Sequence, residues 1–428
     1  MEVGISIEER RLEIKLNPST EERDSVYGNK MGDNLSFKIV SEENVDFHAT
    51  HPDHLALIAL LAAHPFSQGE LYIPLHVSEQ FANACKIFER YKPTFLSKNS
   101  HPYTPKSNSR PGLAFSGGVD STAALEIMPE STVPVFLDRP FRANTTLYNK
   151  SAAKATLAFL EGRDQPNISV ITDVEFIRSP IGFPTDLAAG IPVIALATHL
   201  NFDSIGYGTV MESAYRTGHV KAREYSNSPH YRVWGPLFAA SGIPLYLPVA
   251  GVSEVGTSII VHRSEYRGMA RSCIRGEWPK RCELCWKCFR KQLIEMALME
   301  KSITESQLHD DFKKKEVLYK IKSAFIPHEN VLAWALSKMK REGLVEIFFN
   351  RLVGSTYDLE SLTCYLPNSI ELIPSQYRLT TTQNLRKYLS PMKPAHQKRM
   401  LSQDFQEYMD SETHKSLVLD FEKAIINL

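Results

Sequence analysis

Apolar and polar residues alternate in three stretches near the start of the chain: Ile5-Ser6-Ile7, Leu12-Glu13-Ile14-Lys15-Leu16 and Leu35-Ser36-Phe37-Lys38-Ile39. A period of two turns one side of an extended chain to a core and the other to water, so each stretch predicts a half-buried strand. Two helical patterns follow, near 52–63 and 78–91, flanking the strand-like Glu70-Leu71-Tyr72-Ile73-Pro74-Leu75. Together they predict an accessory α+β domain over residues 1–96. Residues 97–112 are rich in Ser, Asn and Pro and have little apolar periodicity, which is the composition of a linker.

Beyond that stretch the pattern changes. Short apolar runs (Gly112-Leu113-Ala114-Phe115, Val133-Pro134-Val135-Phe136-Leu137, Ile168-Ser169-Val170-Ile171 and Ser204-Ile205-Gly206-Tyr207) alternate with helical stretches such as 150–161 and 187–200. Strands covered on both faces and separated by helices predict an α/β fold with a doubly wound parallel sheet, whose ligands lie outside the carboxyl ends of the strands. From Phe289 onward apolar residues recur three or four apart, in 289–299, 316–325, 330–339 and 344–352, which predicts a helical C-terminal extension over 296–428.

Composition narrows the partners. With 428 residues, 43% of them hydrophobic, the chain buries an ample core in more than one domain. Its 49 basic and 49 acidic residues cancel, so no global field favours nucleic acid as a direct partner. The longest apolar runs, such as 55–63, are too short to cross a bilayer. A polar start without a signal-peptide pattern predicts a soluble, cytoplasmic protein in which disulfides are disfavoured.

The candidate chemistry begins at Ser116-Gly117-Gly118-Val119-Asp120-Ser121, between the apolar run 112–115 and the helical Thr122-Ala123-Ala124-Leu125. Strand, glycine turn and helix in that order present backbone N–H groups and a positive dipole end to an anion, with the Ser116 and Ser121 hydroxyls as further donors. Asp120 fits such a loop as a partner for a divalent metal or as a helix cap. The hexapeptide lacks the lysine of the Walker loop.

Four of the six cysteines, Cys273, Cys282, Cys285 and Cys288, fall within sixteen residues as C-x8-C-x2-C-x2-C. Short x2 links let thiolates converge on one ion. Four thiolates fill the shell of a tetrahedral zinc and make the site structural, although an iron–sulfur cluster shares such spacings. Lys280, Arg281, Lys287, Arg290 and Lys291 interleave with these cysteines, either as phosphate contacts or as a solvated face. A basic, aromatic stretch at 214–232 holds Arg223, Tyr225 and His230 and reads as a gating loop or as a solvated one. His48, His51 and His54 read as surface or capping residues.

The hexapeptide resembles the SGGxDS signature of the PP-loop ATP pyrophosphatases. With the four cysteines about 150 residues further on, the chain resembles the QueC branch of that superfamily, the 7-cyano-7-deazaguanine synthases, over roughly residues 110–295. Asp138 and Arg142 resemble that family's second-strand D-x-x-x-R segment, and Gly208 with Glu212 its later glycine and acid pair. The resemblance implies a PP-loop domain over 113–295, with a zinc knuckle at 273–288. It implies that Ser116, Gly117, Gly118, Val119, Ser121 and Gly208 bind ATP, that Asp120 assists Mg2+, and that Asp138 and Arg142 line the nucleotide or carboxylate pocket. Where the family carries Pro-Gly-Arg-Asn, this chain has Pro184-Thr185-Asp186-Leu187, and Ala143 replaces a histidine.

The expectation is therefore an ATP-dependent carbon–nitrogen ligase that adenylates the carboxylate of a 7-deazaguanine and passes it to an amine. The domains on either side of the core make it most similar to the extended QueC-like proteins of anti-phage systems, where the amine belongs to a partner protein. The alternatives are a 7-cyano-7-deazaguanine synthase using ammonia, and a catalytically reduced ATP- or deazaguanine-binding scaffold. A homo-oligomer is a further possibility, with the accessory segments as its interface.

Overall fold

The N-terminal alternation builds strands β1 (Glu2–Glu8), β2 (Arg11–Asn17) and β3 (Ser36–Ser41), an antiparallel meander whose Leu12, Ile14, Leu16, Phe37 and Ile39 are wholly buried. The computed structural model describes residues 1–8, 10–24, 28, 30–41, 45–140, 148–352 and 358–426. Strand β4 (Gly69–Ser78) and edge strand β5 (Tyr91–Ser100) pair in parallel beside β1. Helix α1 (Pro52–Ala63), apolar all round, lies buried against them. Ser97–Ser100, expected to be linker, thus belong to a strand. The helix expected over 78–91 is confined to Glu79–Ala84, with a single tighter turn after it.

The second set of strands is β6 (Arg110–Phe115), β7 (Val133–Asp138), β8 (Ile168–Thr172), β9 (Phe202–Tyr207) and β10 (Leu245–Tyr246), all parallel to their neighbours. Their order across the sheet is β10-β9-β6-β7-β8. Helices α2 (Val119–Ile127) and α3 (Ser151–Glu161) pack on one face. Helices α4 (Ile191–Leu200) and α5 (Pro229–Ala240) pack on the other. The sheet is therefore doubly wound, as the alternating runs predict. Its order reverses between β6 and β9, which opens a crevice at their carboxyl ends.

Both sets form one sheet of ten strands among the described residues. Strand β3 pairs antiparallel with β8, Val40 opposite Ile171, so the meander continues the parallel sheet and covers what would otherwise be an open edge. After β10 come α6 (Glu254–Arg263), α7 (Trp286–Leu298) and α8 (Glu329–Ser337), with further helices to Ala424. These share an apolar core with α2 and α3. No described helix is long and apolar enough to cross a membrane.

Candidate functional site

At the crevice, the chain leaves β6 at Phe115 and turns through Gly117, whose φ of +70° is open to glycine at little cost. Gly118 caps α2. The Ser116 and Ser121 hydroxyls lie 3.0 Å apart, and Ser116 Oγ accepts the Gly118 N–H at 3.3 Å. Gly208, at the end of β9, presses on this turn: a Cβ there would stand 2.8 Å from the Ser121 nitrogen and 2.9 Å from the Asp120 carbonyl carbon. Only a residue without a side chain permits that approach. Ser116, Gly118, Asp120, Ser121 and Gly208 all border one cavity of about 360 Å3. Neither Gly117 nor Val119 does. The Val119 N–H donates to Ser272 Oγ at 3.2 Å, and its side chain joins the core.

The opposite wall comes from segments that carry no regular strand. Asp186 and Leu187 lie on the turn before α4, and Arg223, Tyr225 and His230 come from the loop before α5 and the first turn of that helix. Tyr225 Oη and His230 Nδ1 are 3.0 Å apart. Arg223 is held by its own loop, its Nε donating to the Ala214 carbonyl at 2.9 Å. Ser272 and the exposed Lys287 enter from the cysteine segment. Of the five basic residues interleaved with the cysteines, Lys287 alone borders this cavity.

The others do different work. Lys291, buried on α7, sets its Nζ 3.1 Å from Asp120 Oδ1 and 3.6 Å from Glu254 Oε2. Thr257 Oγ1 donates to the same Asp120 oxygen at 2.7 Å. Burial disfavours an ammonium, yet the carboxylates of Asp120 and Glu254 raise the Lys291 pKa and keep it charged. Arg290 Nη2 lies 3.2 Å from Glu254 Oε1. Burial works against the Glu254 charge, but Lys291, Arg290 and His328 hold its pKa well below the carboxylate range. Arg281 pairs with Glu295 instead.

Glu212 does not reach the cavity. It is buried, accepting from the Glu254 N–H and from Asn330 Nδ2, each at 3.0 Å. Burial, with the neighbouring Glu254 charge, pushes its pKa up to about 8. Asp138 ends β7 in an ion pair with Lys150 and does not border the cavity either. Arg142 lies outside the described residues. The histidines also sort themselves. His51 caps α1, while His54 is fully buried, a core residue between Thr198 Oγ1 and the Ser241 carbonyl.

Beside the loop, the sulfurs of Cys273, Cys282, Cys285 and Cys288 all lie within 4.8 Å of one another and can hold a metal ion such as zinc. Cys282 Sγ and Cys288 Sγ are 3.7 Å apart. Four bonds of about 2.3 Å to one tetrahedral ion put sulfurs about 3.8 Å apart. A multi-iron cluster would spread them further, so the geometry suits a single ion. Backbone N–H groups of Arg275 and Gly276 point at Cys273 Sγ, at 3.4 and 3.3 Å, and that of Cys288 at Cys285 Sγ, at 3.4 Å, a donor set that favours thiolates. Cys285 also caps α7, so the four-sulfur cluster and Lys291 share one helix.

The sequence marks neither Asp186 nor Thr257 as a ligand or support, and offers Lys291 as a phosphate contact or as part of a solvated face, whereas the buried Lys291 pairs with Asp120 and Glu254. Their signal is spatial, since 137 residues separate Thr257 from Asp120 and 171 separate Lys291 from it. A family described as of unknown function (DUF6395) has a model that matches residues 233–404, which takes in the four cysteines and much of the helical extension but not the glycine loop. No curated protein and no solved structure matches the chain.

Proposed function

We propose that this protein is an ATP-dependent ligase of the PP-loop type, which adenylates the carboxylate of a 7-deazaguanine and delivers the acyl group to an amine. The observation that carries the reading is the seating of Ser116-Gly117-Gly118-Val119-Asp120-Ser121 at the switch point of a doubly wound sheet, pressed by Gly208 and flanked by a four-cysteine metal site. A helix N-terminus, two hydroxyls and the nearby Lys287 give the cavity the donors a polyphosphate needs.

In such a reaction the substrate carboxylate oxygen attacks the α-phosphorus of ATP, the α–β bridging bond breaks and pyrophosphate leaves. The amine nitrogen then attacks the acyl carbon and gives up a proton as AMP departs. The Ser116 and Ser121 hydroxyls and the α2 amides would hold the departing pyrophosphate. Arg223 and His230 on the far wall would orient the acid. Asp120 borders the cavity with one oxygen engaged: its Oδ1 is held by Lys291 and Thr257, so Mg2+ would meet its Oδ2. The exposed Asp186 is the other carboxylate bordering the cavity. Zinc on the four cysteines would be structural, fixing α7.

The helical extension and the strands around the core suggest an acceptor larger than ammonia, an amine on a partner protein of an anti-phage system. The test is product analysis with MgATP and 7-carboxy-7-deazaguanine, with and without ammonia. AMP and pyrophosphate that form only with the deazaguanine support the ligase. ADP in place of AMP would remove the ligase in this form, and no turnover with tight ATP binding would replace it with the scaffold reading.

A further inference from the structure

We infer that the C-terminal extension straps the far wall of the cleft, and that Gln403 is a positioning residue for Arg223. The inference assumes, with the proposed function, that the cleft binds ligand. Residues 215–228 connect Met211–Ala214 to α5 without helix or strand of their own, yet they deliver Arg223 and Tyr225 to the cavity. A free loop of that length would carry its arginine through many conformations, and ordering it would be charged against ligand binding.

The order comes from 180 residues further along the chain. Ala222 N–H donates to the Gln403 carbonyl at 3.0 Å, and Phe405 N–H donates to the Val220 carbonyl at 2.9 Å, so 403–405 lies as a short antiparallel rung along 220–222. Gln403 Nε2 donates to the His219 carbonyl at 2.7 Å, and Lys221 Nζ meets Asp404 Oδ2 at 2.9 Å. The strap is itself anchored, because the preceding Met400 is buried in the main core. On its other side the loop abuts Asn330: a Cβ on Gly218 would stand 2.0 Å from Asn330 Oδ1. Arg223 directly follows the rung, and its own N–H donates to the Tyr215 carbonyl at 2.9 Å. Loosening 219–222 would therefore leave Arg223 tethered from one side only, through the Tyr215 and Ala214 carbonyls.

Limited trypsin digestion reads this directly, since Arg216, Lys221 and Arg223 all lie in the loop. Gln403→Ala leaves the His219 carbonyl without its donor, and cleavage between 216 and 223 should rise about tenfold. Asp404→Lys sets two ammonium groups together at the exposed end without touching the core, and should raise it about two- to threefold. Gln406→Ala, on the same segment but bonded to Asp410, should leave it unchanged. In turnover, Gln403→Ala should raise KM for the carboxylate substrate about tenfold, with kcat and the KM for ATP within about twofold. Cleavage of Gln403→Ala at the wild-type rate would overturn the inference, and so would equal acceleration in Gln406→Ala. Accelerated cleavage in a protein that releases no AMP would count against the ligase alone.

Discussion

Gly208 and the amide of Ser121 approach so closely that there is no room for a methyl group between the end of β9 and the glycine turn. Gly208→Ala would have to displace backbone on one side or the other, because a Cβ at 2.8 Å meets a main-chain nitrogen and not the tip of a flexible side chain. AMP release should fall at least about a hundredfold while the sheet survives, because the turn's donors would be misplaced by a large fraction of an ångström. Pre-steady-state pyrophosphate release by the variant at the wild-type rate would show that the turn does not hold the phosphates.

Lys291 is the counter-ion for two carboxylates. Lys291→Met leaves Asp120 and the buried Glu254 short of a cation, at a cost of about 3–5 kcal/mol in urea unfolding. Adding Asp120→Asn should return part of that loss. If the double variant is no more stable than the single one, the Lys291–Asp120 pair contributes nothing and Glu254 alone needs the lysine.

Metal analysis of the purified protein should give one zinc per chain and no visible absorption. Cys285→Ser removes one of the four sulfurs and the cap of α7, so zinc content and thermal stability should fall together. A brown protein containing iron and sulfide would replace zinc with a cluster.

Stability should fall on both sides of neutrality. Burial pushes the His54 pKa down to about 3 and that of His64 to about 4, so both are neutral in the folded chain, and the unfolded chain takes up their protons below about 6.5. Their contribution is complete above 6.5 and is lost as pH falls toward 3 to 4. Glu212 acts in the opposite sense. With a folded value near 8, its contribution is complete below the ordinary carboxylate range and is lost as pH rises through 8. His54→Gln should flatten the acid limb by on the order of 3 kcal/mol, while Glu212→Gln flattens the alkaline one. An acid limb unchanged in His54→Gln would show that this histidine takes up its proton as readily in the fold as in the unfolded chain.

Local periodicity made the strands legible. The runs at 112–115, 133–137, 168–171 and 204–207 are all strand, and the glycine loop lies at their carboxyl ends because strand and helix propensities agree around it. The continuity of the sheet was not legible. Nothing in Ser36–Ser41 announces Ile168–Thr172 as its neighbour, and a Ser- and Asn-rich stretch at 97–100 reads as linker although strand β4 beside it supplies its hydrogen bonds. The four cysteines were visible because metal ligands come at short spacings. Lys291 and Thr257 were not recognised as partners of Asp120, because an ion pair across a fold leaves no mark on the chain around either residue. Asp138 was expected in the pocket through its resemblance to a D-x-x-x-R segment, but Lys150 engages its side chain.

The seam between β3 and β8 also has a consequence for biosynthesis. Strand β3 leaves the ribosome about 130 residues before its partner, which at 5–20 residues per second is roughly ten seconds of synthesis. Through that interval the nascent meander presents a bare hydrogen-bonding edge and the half-covered side chains of Phe37 and Ile39. The first ninety residues therefore emerge with one strand edge unpaired, and a chaperone that shields strand edges has its opportunity on this protein before Ile168 emerges.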